Sequence, residues 1–363
     1  MSRLHIFNPS HDEALAANSP YYYPAKAARM LGTDLGVLPA WWAQEDDWIL
    51  LPNEVRIPEN DFTQHGVRWV HPADLRQAEA QGIESVHPWG WDPLLVHQLS
   101  KAGVAEHLLP TSEELERIRQ LSSRQTAVGL LQAVRLDVPQ TIGTSFWCTQ
   151  IEEVKELVIQ YGNLMLKAPW SSSGRGVFAV GRDFPDNLRS RIVRILKEQG
   201  AIEAEPLYPK VADFALEFSA HQDKVVYEGL SVFATTENGA YTGNIIGEET
   251  LLLQHLPEEI RQLLPEVTAS LCNHLHHTLG TAYEGPLGVD LMSVRQDDGS
   301  LALHPCVEIN LRRTMGHVAL ALRTEITPGQ TGIYRLQPLA GTYDKTTRRL
   351  TPYAQKMEAL LLI

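Results

Sequence analysis

The spacing of apolar and polar residues divides the chain into two differently patterned parts. Up to about residue 110, short apolar runs alternate with polar loops, and ten prolines interrupt the segment. Proline lacks a backbone N–H donor and ends helices, so we expect only short elements here. The runs at 3–9 and 66–72 are typical of strands. The pattern predicts a small open α/β unit over residues 1–110.

From residue 111 the segments become longer and more regular. Thr111 and Glu114 fit a capping box at the start of an amphipathic helix. Helical and strand patterns then alternate as far as a predicted hairpin that turns at Asp298-Gly299. This mixture predicts α+β units rather than one parallel sheet. The pattern beyond about residue 330 predicts no particular element.

The predicted hairpin carries the most informative group of side chains. Asp290 and Glu308 each lie nine residues from Gly299, on opposite sides of the turn. Directly opposed residues on antiparallel strands have Cβ atoms about 4.5–5.5 Å apart, so the two carboxylates should face each other. Side chains alternate between the faces of a strand, so Asn310 should lie on the face of Glu308, followed by Arg312 if the strand continues.

Opposed like charges destabilise a sheet unless a cation neutralises them. Carboxylate and amide oxygens are ligands that magnesium accepts, usually together with substrate phosphates. The hairpin therefore predicts a magnesium site formed by Asp290, Glu308 and Asn310. The alternative is a solvated hairpin face with chance carboxylates, which the apolar neighbours Leu287 and Ile309 disfavour.

A glycine-rich loop follows a predicted strand that ends near Lys167. The loop consists of Ser171, Ser172, Ser173, Gly174, Arg175 and Gly176. Successive backbone N–H groups, hydroxyls and cations are suited to phosphate, although a flexible hairpin tip has the same composition. A Walker A loop would need Gly-Lys-Ser/Thr, which is missing. The glycine spacing also matches a dinucleotide motif, but that motif must open a helix, whereas residues 177–180 have a strand pattern.

A polar loop follows the first predicted strand. Its residues include His11 and Asp12, which lie where open α/β units bind ligands. We interpret both as candidate substrate contacts. A helix-capping turn with surface side chains is the alternative.

Composition restricts the class of protein. The 363 residues carry a net charge of −13, which argues against general nucleic-acid binding because phosphate backbones are held by clustered Lys and Arg. No apolar run approaches the roughly 20 residues of a membrane span, and the first residues do not resemble a signal peptide. Three scattered cysteines have neither disulfide nor zinc spacing. We therefore expect a cytoplasmic protein.

In this order, the motifs resemble the ATP-grasp superfamily over roughly residues 121–313, about half of the chain. The family has a basic residue at the start of a helix, matched by Arg124 where lysine is usual. A strand lysine before a mobile glycine-rich lid corresponds to Lys167 and the loop at 171–176. The closing Asp and Glu-x-Asn-x-Arg pattern corresponds to the Asp290 hairpin and Arg312.

The resemblance implies an amino-terminal open α/β domain (1–110) followed by a two-lobed ATP-grasp fold (111–330) and an unassigned tail (331–363). The small lobe would cover about 140–205 and the large lobe about 206–330. A hinge glutamate that contacts adenine corresponds to Glu205, with Glu203 and Glu217 as alternative registers. Asp213 would contact ribose.

The resemblance further implies a ligase that uses ATP and Mg²⁺ (or Mn²⁺) to activate a carboxylate as an acyl-phosphate, which an amine or thiol then attacks. Arg124, Lys167 and the loop would contact phosphates. Arg312 and Arg313 would assist the acyl-phosphate. The partners would be small molecules, and a homodimer would be unsurprising. The alternatives are a kinase or a non-catalytic ATP-binding protein of the same fold, and a dinucleotide-binding oxidoreductase, which requires a helix after Gly176.

Overall fold

The computed structural model describes residues 2–56, 58, 63, 65–171, 176–221, 224–236 and 241–363.

The amino-terminal unit is built on four short parallel strands in the order β3-β2-β1-β4. The strands are β1 (Ser2–Ile6), β2 (Trp48–Leu50), β3 (Arg68–Val70) and β4 (Ile83–Pro88). The helices are α1 (His11–Ala17), α2 (Lys26–Leu35), α3 (Leu75–Glu79) and α4 (Pro93–Lys101). Parallel neighbours need crossover connections, which these helices and their loops provide. The prediction of a small open α/β unit is confirmed.

Two helices lead from this unit into the rest of the chain, α5 (Ser112–Leu121) and α6 (Arg124–Asp137). The predicted capping box is present, because the Thr111 side chain accepts a hydrogen bond from the Glu114 N–H and the Glu114 carboxylate accepts one from the Thr111 N–H. Buried Leu130, Leu131 and Val134 place one face of α6 in the largest hydrophobic core.

The next unit is a four-stranded antiparallel sheet in the order β5-β8-β6-β7, covered by two helices. Its elements are β5 (Phe146–Cys148), α7 (Ile151–Tyr161), β6 (Leu164–Lys167), β7 (Val177–Val180), α8 (Asp186–Gln199) and β8 (Ile202–Pro206). Apolar residues of both helices, among them Val154 and Ile192, pack with Leu164 and Leu166 of β6 in one core. We refer to this unit as the small lobe.

The remaining elements form a large lobe around an eight-stranded antiparallel sheet in the order β13-β12-β9-β10-β11-β14-β16-β15. The elements as far as the hairpin are β9 (Lys210–His221), β10 (Lys224–Thr235), β11 (Tyr241–Ile246), α9 (Glu249–Leu252), α10 (Glu258–Leu279), β12 (Gly285–Arg295) and β13 (Leu301–Asn310). The final elements are α11 (Met315–Ala321), β14 (Gly332–Pro338), β15 (Thr347–Arg349) and β16 (Met357–Leu362). Within the described residues, no helix is long and apolar enough to cross a membrane.

The tail, which the sequence pattern leaves unassigned, extends the large sheet through β14, β15 and β16. It also binds the amino-terminal unit. The buried carboxylate of Asp34 accepts hydrogen bonds from the backbone N–H groups of Gln355, Lys356 and Met357 at 2.7–3.1 Å. The tail therefore joins the first and last parts of the chain.

Candidate functional site

The hairpin of β12 and β13 has the register that its turn predicts. Asp290 lies directly opposite Glu308, and Gly288 lies opposite Asn310. Because side chains of a strand alternate between its faces, the two carboxylates and the Asn310 amide share one face of the sheet. Asn310 also forms a side-chain hydrogen bond with Asp290.

A bulge next to this group redirects part of β13. Between the pairs Asp290–Glu308 and Met292–His304, β13 contains two more residues than a regular ladder would have. Pro305 lies in this stretch and has no N–H to donate to the sheet. In the same stretch, the carbonyl of Val307 accepts a hydrogen bond from Lys167 Nζ at 3.1 Å. The bulge thus connects the hairpin to the small lobe.

The electrostatics of the paired carboxylates favour a bound cation. Burial, together with the negative charge of Glu308, raises the pKa of Asp290 to about 7. The Glu308 carboxylate forms an ion pair with the Arg124 guanidinium, with 2.8 Å between Oε1 and Nη2. Two carboxylates and one amide oxygen are a suitable set for a hard divalent ion that also binds phosphate oxygens. Among the described residues, no group of three or more His, Cys, Asp or Glu side chains is arranged to hold a metal, so the site depends on two carboxylates and one amide.

Arg124 is positioned by the start of α6. Ser123 caps this helix, and Arg124 is its first residue. The Arg124 guanidinium reaches Glu308 and also donates to the carbonyl of Ala168 at 3.1 Å. Although burial would lower its pKa, the carboxylates of Glu308 and Glu203 raise the pKa of Arg124 above its ordinary value. This cation is therefore held directly beside the candidate metal ligands.

Lys167 lies between two carboxylates of the neighbouring strand β8. Its Nζ is 2.9 Å from Glu205 Oε1 and 3.3 Å from Glu203 Oε1, and all three side chains are buried. Burial would lower the pKa of Lys167, but Glu203 and Glu205 outweigh it and raise this pKa. Burial raises the pKa of Glu205, while Lys167 acts in the opposite direction. Both candidate hinge glutamates therefore contact the same cation, and the choice between them stays open.

The sequence predicts a polar loop after β1, but His11 and Asp12 form the first turn of α1, and this turn reaches the end of β13. Arg312 forms a two-pronged ion pair with Asp12, with both N–O distances at 2.9 Å, and also donates to Asn310 Oδ1 at 3.1 Å. Burial would raise the pKa of Asp12, but Arg312 holds it below its ordinary value. His11 is buried beside Asp92, with 3.6 Å between Nδ1 and the carboxylate. A crevice here is lined by Asp12, Arg124, Ser171, Glu308 and Asn310, among others.

Arg313 is a second cation at this junction and differs from Arg312 in its surroundings. Its guanidinium lies 4.7 Å from the ring centre of Trp42, and its backbone N–H donates to the carbonyl of Trp89 at 2.8 Å. Burial lowers the pKa of Arg313 to about 10. Among the described residues, no carboxylate forms an ion pair with it. Glu217 and Glu228 act on this half-buried guanidinium through charge without an ion pair, which leaves it able to bind an anionic ligand.

Glu217, His317 and the Phe218 carbonyl form a buried network next to the hairpin, which the sequence pattern does not predict. Glu217 on β9 lies opposite Gly288, and its carboxylate is 3.1 Å from His317 Nδ1. His317 Nε2 in turn contacts the carbonyl of Phe218 at 3.1 Å. Burial, reinforced by Asp290, raises the pKa of Glu217 to about 8. Glu217 contacts His317, whereas Glu203 and Glu205 contact Lys167. A possible sequence signal is Gly316, where a Cβ would lie 1.9 Å from Glu217 Oε1.

The remaining candidates are less central. Asp213 lies on the Asp290 face of the sheet, opposite Met292, and pairs with Lys210 at 2.5 Å. Ser172, Ser173, Gly174 and Arg175 lie outside the described residues. A Cβ on Gly176 would lie 2.3 Å from Ser171 Cβ, so this close packing requires glycine. The strand β7 follows Gly176 directly, so the helix that a dinucleotide motif requires is not formed there.

Solved structures similar to this chain are ligases and carboxylases. An N5-carboxyaminoimidazole synthetase from Staphylococcus aureus, in complex with ADP, has 10% identity and a TM-score of 0.52, covering 100% of this chain and 93% of that chain. Biotin carboxylase from Campylobacter jejuni, in a β,γ-ATP complex, has 14% identity and a TM-score of 0.54, covering 99% and 87%. An L-amino acid ligase from Bacillus licheniformis has 15% identity and a TM-score of 0.51, covering 100% and 93%. No protein-family model and no curated protein matches the sequence.

Proposed function

We propose, from the ATP-grasp fold that this chain adopts, that it is an ATP- and magnesium-dependent ligase. It would activate a carboxylate as an acyl-phosphate, which an amine or thiol attacks with release of ADP and phosphate. Carbon–nitrogen bond formation is the favoured outcome, because the similar structures include a carboxyaminoimidazole synthetase and an amino acid ligase.

One observation carries the proposal: two opposed carboxylates, an amide and several cations from distant parts of the chain meet at one junction. Asp290 and Glu308 come from the hairpin, Arg124 from α6 and Asp12 from the amino-terminal unit. Lys167 joins them through the Val307 carbonyl. Transfer of a phosphoryl group needs mainly positioning and neutralisation of charge, which such a group supplies.

The carboxylates of Asp290 and Glu308 and the amide oxygen of Asn310 would hold magnesium. The raised pKa of Asp290 supports this role, because a divalent cation would offset the repulsion between the two neighbouring carboxylates. When bound, the ion would neutralise charge on the phosphates. The ion would also compete with Arg124 for Glu308, which would free that guanidinium to contact a phosphate oxygen.

Arg124 and Lys167 would bind phosphates, with Ser171, Gly176 and the loop between them closing over the γ-phosphate. Glu205, or Glu203 in the alternative register, would contact adenine, and Asp213 would contact ribose. In this structure Glu203 and Glu205 neutralise the charge of Lys167. Nucleotide binding would therefore have to shift the Lys167 ammonium away from at least one of them.

The acyl side of the reaction would lie between Arg312, Arg313 and the first turn of α1 with His11 and Asp12. Asp12 holds the Arg312 guanidinium in one orientation by two hydrogen bonds. Within the described residues no carboxylate pairs with Arg313 in this way, so its charge would act on the substrate carboxylate or on the oxyanion that forms when the nucleophile attacks. The glycine-rich loop at 171–176, once closed, would keep water from hydrolysing the acyl-phosphate.

Isothermal titration calorimetry with a non-hydrolysable ATP analogue, with and without magnesium, tests the nucleotide site. Asp290→Asn should abolish the magnesium dependence, and Lys167→Ala should weaken binding in either condition. Asp297→Asn is the matched control, because Asp297 is exposed at the tip of the same hairpin. Wild-type protein that does not bind the analogue, or an Asp290→Asn variant that keeps its magnesium dependence, would contradict the assignment.

The reaction type needs a second experiment. Purified protein is incubated with ATP, magnesium and pools of carboxylates and amines, and ADP release is followed together with mass spectrometry of the products. ADP release that requires both substrates and gives an amide supports a ligase. A phosphorylated small molecule would instead identify a kinase, and nucleotide binding without turnover in any pool would favour the non-catalytic alternative.

A further inference from the structure

The amino-terminal unit contains a cleft of about 980 Å³ that shares no lining residue with the crevice at Asp12 and Glu308. It lies beyond the carboxyl ends of β1, β2 and β3, between α2 and α4, and residues 355–356 of the tail complete its wall. Open α/β sheets bind ligands at this end of their strands. The volume is also typical of pockets for small molecules, which span about 300–1,000 Å³.

Most of the lining surface of the cleft is apolar. It includes the buried side chains of Phe7, Leu51, Leu75, Leu95 and Leu99. Several of these residues belong to the hydrophobic core beneath the sheet, so this part of the wall is rigid. A ligand that enters the cleft would therefore place an apolar body against it.

Four cations, Lys26, Arg29, Lys101 and Lys356, lie around the same cleft, and all four are exposed. Within the described residues, none of the four forms an ion pair. Lys26 begins α2, whose first turn has no acidic residue. A positive charge at the amino-terminal end of a helix interacts unfavourably with the helix dipole, so helix stability does not explain the presence of Lys26.

Carboxylates of the cleft do not balance these charges. Asp34 lines the cleft, but both of its oxygens accept backbone N–H groups of the tail. Glu54 is the other acidic residue among the described lining residues. Arg29 is oriented at the edge of the cleft, because it donates to the Pro24 carbonyl at 2.6 Å and lies 4.3 Å from the Tyr23 ring centre. A chain of net charge −13 thus concentrates uncompensated cations at one apolar cleft.

We propose that this cleft binds a small organic anion that combines an apolar body with at least two negative charges. The body lies against the apolar wall, and the anionic group lies among Lys26, Arg29, Lys101 and Lys356. The proposal depends on this cleft alone and does not require that the protein bind ATP.

Calorimetric titration of the full chain with 1-naphthyl phosphate, which has an apolar ring system and a dianionic group, tests the proposal. Inorganic phosphate and 1-naphthol supply the charge and the apolar body separately. We expect 1-naphthyl phosphate to bind at one site at least ten-fold more tightly than either fragment, and more weakly as salt is added. Undetectable binding of 1-naphthyl phosphate, or equally tight binding of 1-naphthol, would overturn the proposal.

Variants locate the binding site. Ala28→Trp should weaken binding by placing an indole in the cleft, whereas Ala27→Trp, at an exposed neighbouring position of the same helix outside the cleft, should have no effect. The double variant Lys26→Gln/Lys356→Gln should weaken binding of the probe about three- to ten-fold, as expected for solvent-exposed charges. Lys197→Gln on α8 is the charge control. Equal effects of the two tryptophan variants would place the probe elsewhere and refute the assignment.

Discussion

Replacing Lys167 by methionine should destabilise the protein through the two carboxylates that it leaves behind. Lys167 Nζ lies 2.9 Å from Glu205 and 3.3 Å from Glu203, and all three side chains are buried. Removing one partner of a buried ion pair costs about 3–5 kcal/mol. Because one carboxylate can take up a proton instead, we expect the lower end of this range at pH 7 and a smaller loss at pH 5.

The consequence for thermal unfolding follows from the size of the two lobes taken together, about 220 residues from Phe146 to Leu362. About 1 kcal/mol shifts the Tm of a 150–250-residue unit by roughly 2–4 °C, so Lys167→Met should lower the Tm by roughly 6–12 °C. The compensated variant Lys167→Met with Glu205→Gln should recover most of this loss, because Glu203 keeps its hydrogen bond from Ser145 at 2.8 Å. It should not recover binding of the ATP analogue, since the cation remains absent.

Circular dichroism and calorimetry on the same samples separate the two effects. Lys155→Met is the matched control, because Lys155 forms a solvent-exposed pair with Glu152 at 3.3 Å, and such pairs contribute little to stability. An unchanged Tm of Lys167→Met at pH 7 would refute the analysis of the buried charges. Wild-type affinity of the compensated variant for the nucleotide would show that Lys167 does not contact it.

Three further predictions concern buried or partly buried groups in different parts of the fold. Asp34→Ala removes the acceptor of three tail N–H groups, so hydrogen exchange of those amides should accelerate on the order of ten- to hundred-fold. Gly316→Ala should destabilise the protein by about 1–3 kcal/mol in chemical denaturation, because its Cβ would meet Glu217, whereas Gly341→Ala has open space and should not. Burial lowers the pKa of His87 from 6.5 to about 4, so the folded state resists its protonation. Stability should therefore fall as pH drops from about 6.5 to about 4, and less steeply in His87→Gln, as measured by Tm against pH.

The hairpin was predictable because its determinants are local. An Asp-Gly turn and the alternation of strand side chains are enough to place Asp290 opposite Glu308. The bulge beside them was not predictable, although Pro305 is a signal for it in retrospect. Its result, the Val307 carbonyl facing Lys167, depends on two strands that lie 140 residues apart.

Other features depend on contacts that no local pattern encodes. The pairing of Arg312 with Asp12 spans 300 positions, so the sequence indicates each residue but not their contact. Of the tail strands, β15 escaped prediction because it has only three residues, Thr347–Arg349, two of them arginines. The cleft of the amino-terminal unit likewise joins residues from both ends of the chain, so charge spacing along the sequence does not reveal it.

The change of pattern at residue 110 marks a change in local structure, but the hydrophobic core crosses it. One cluster contains Phe7 and Trp41 of the amino-terminal unit together with Tyr334 and Leu361 of the tail strands. The Trp41 indole N–H also donates to the Leu350 carbonyl at 2.9 Å. The segment from Phe7 to the first turn of α1 is therefore held from both sides, by this core and by the contact of Asp12 with Arg312. Its position at the candidate metal ligands is thus set by the packing of the whole chain, so the acyl site would require the amino-terminal unit and the tail as much as the two lobes.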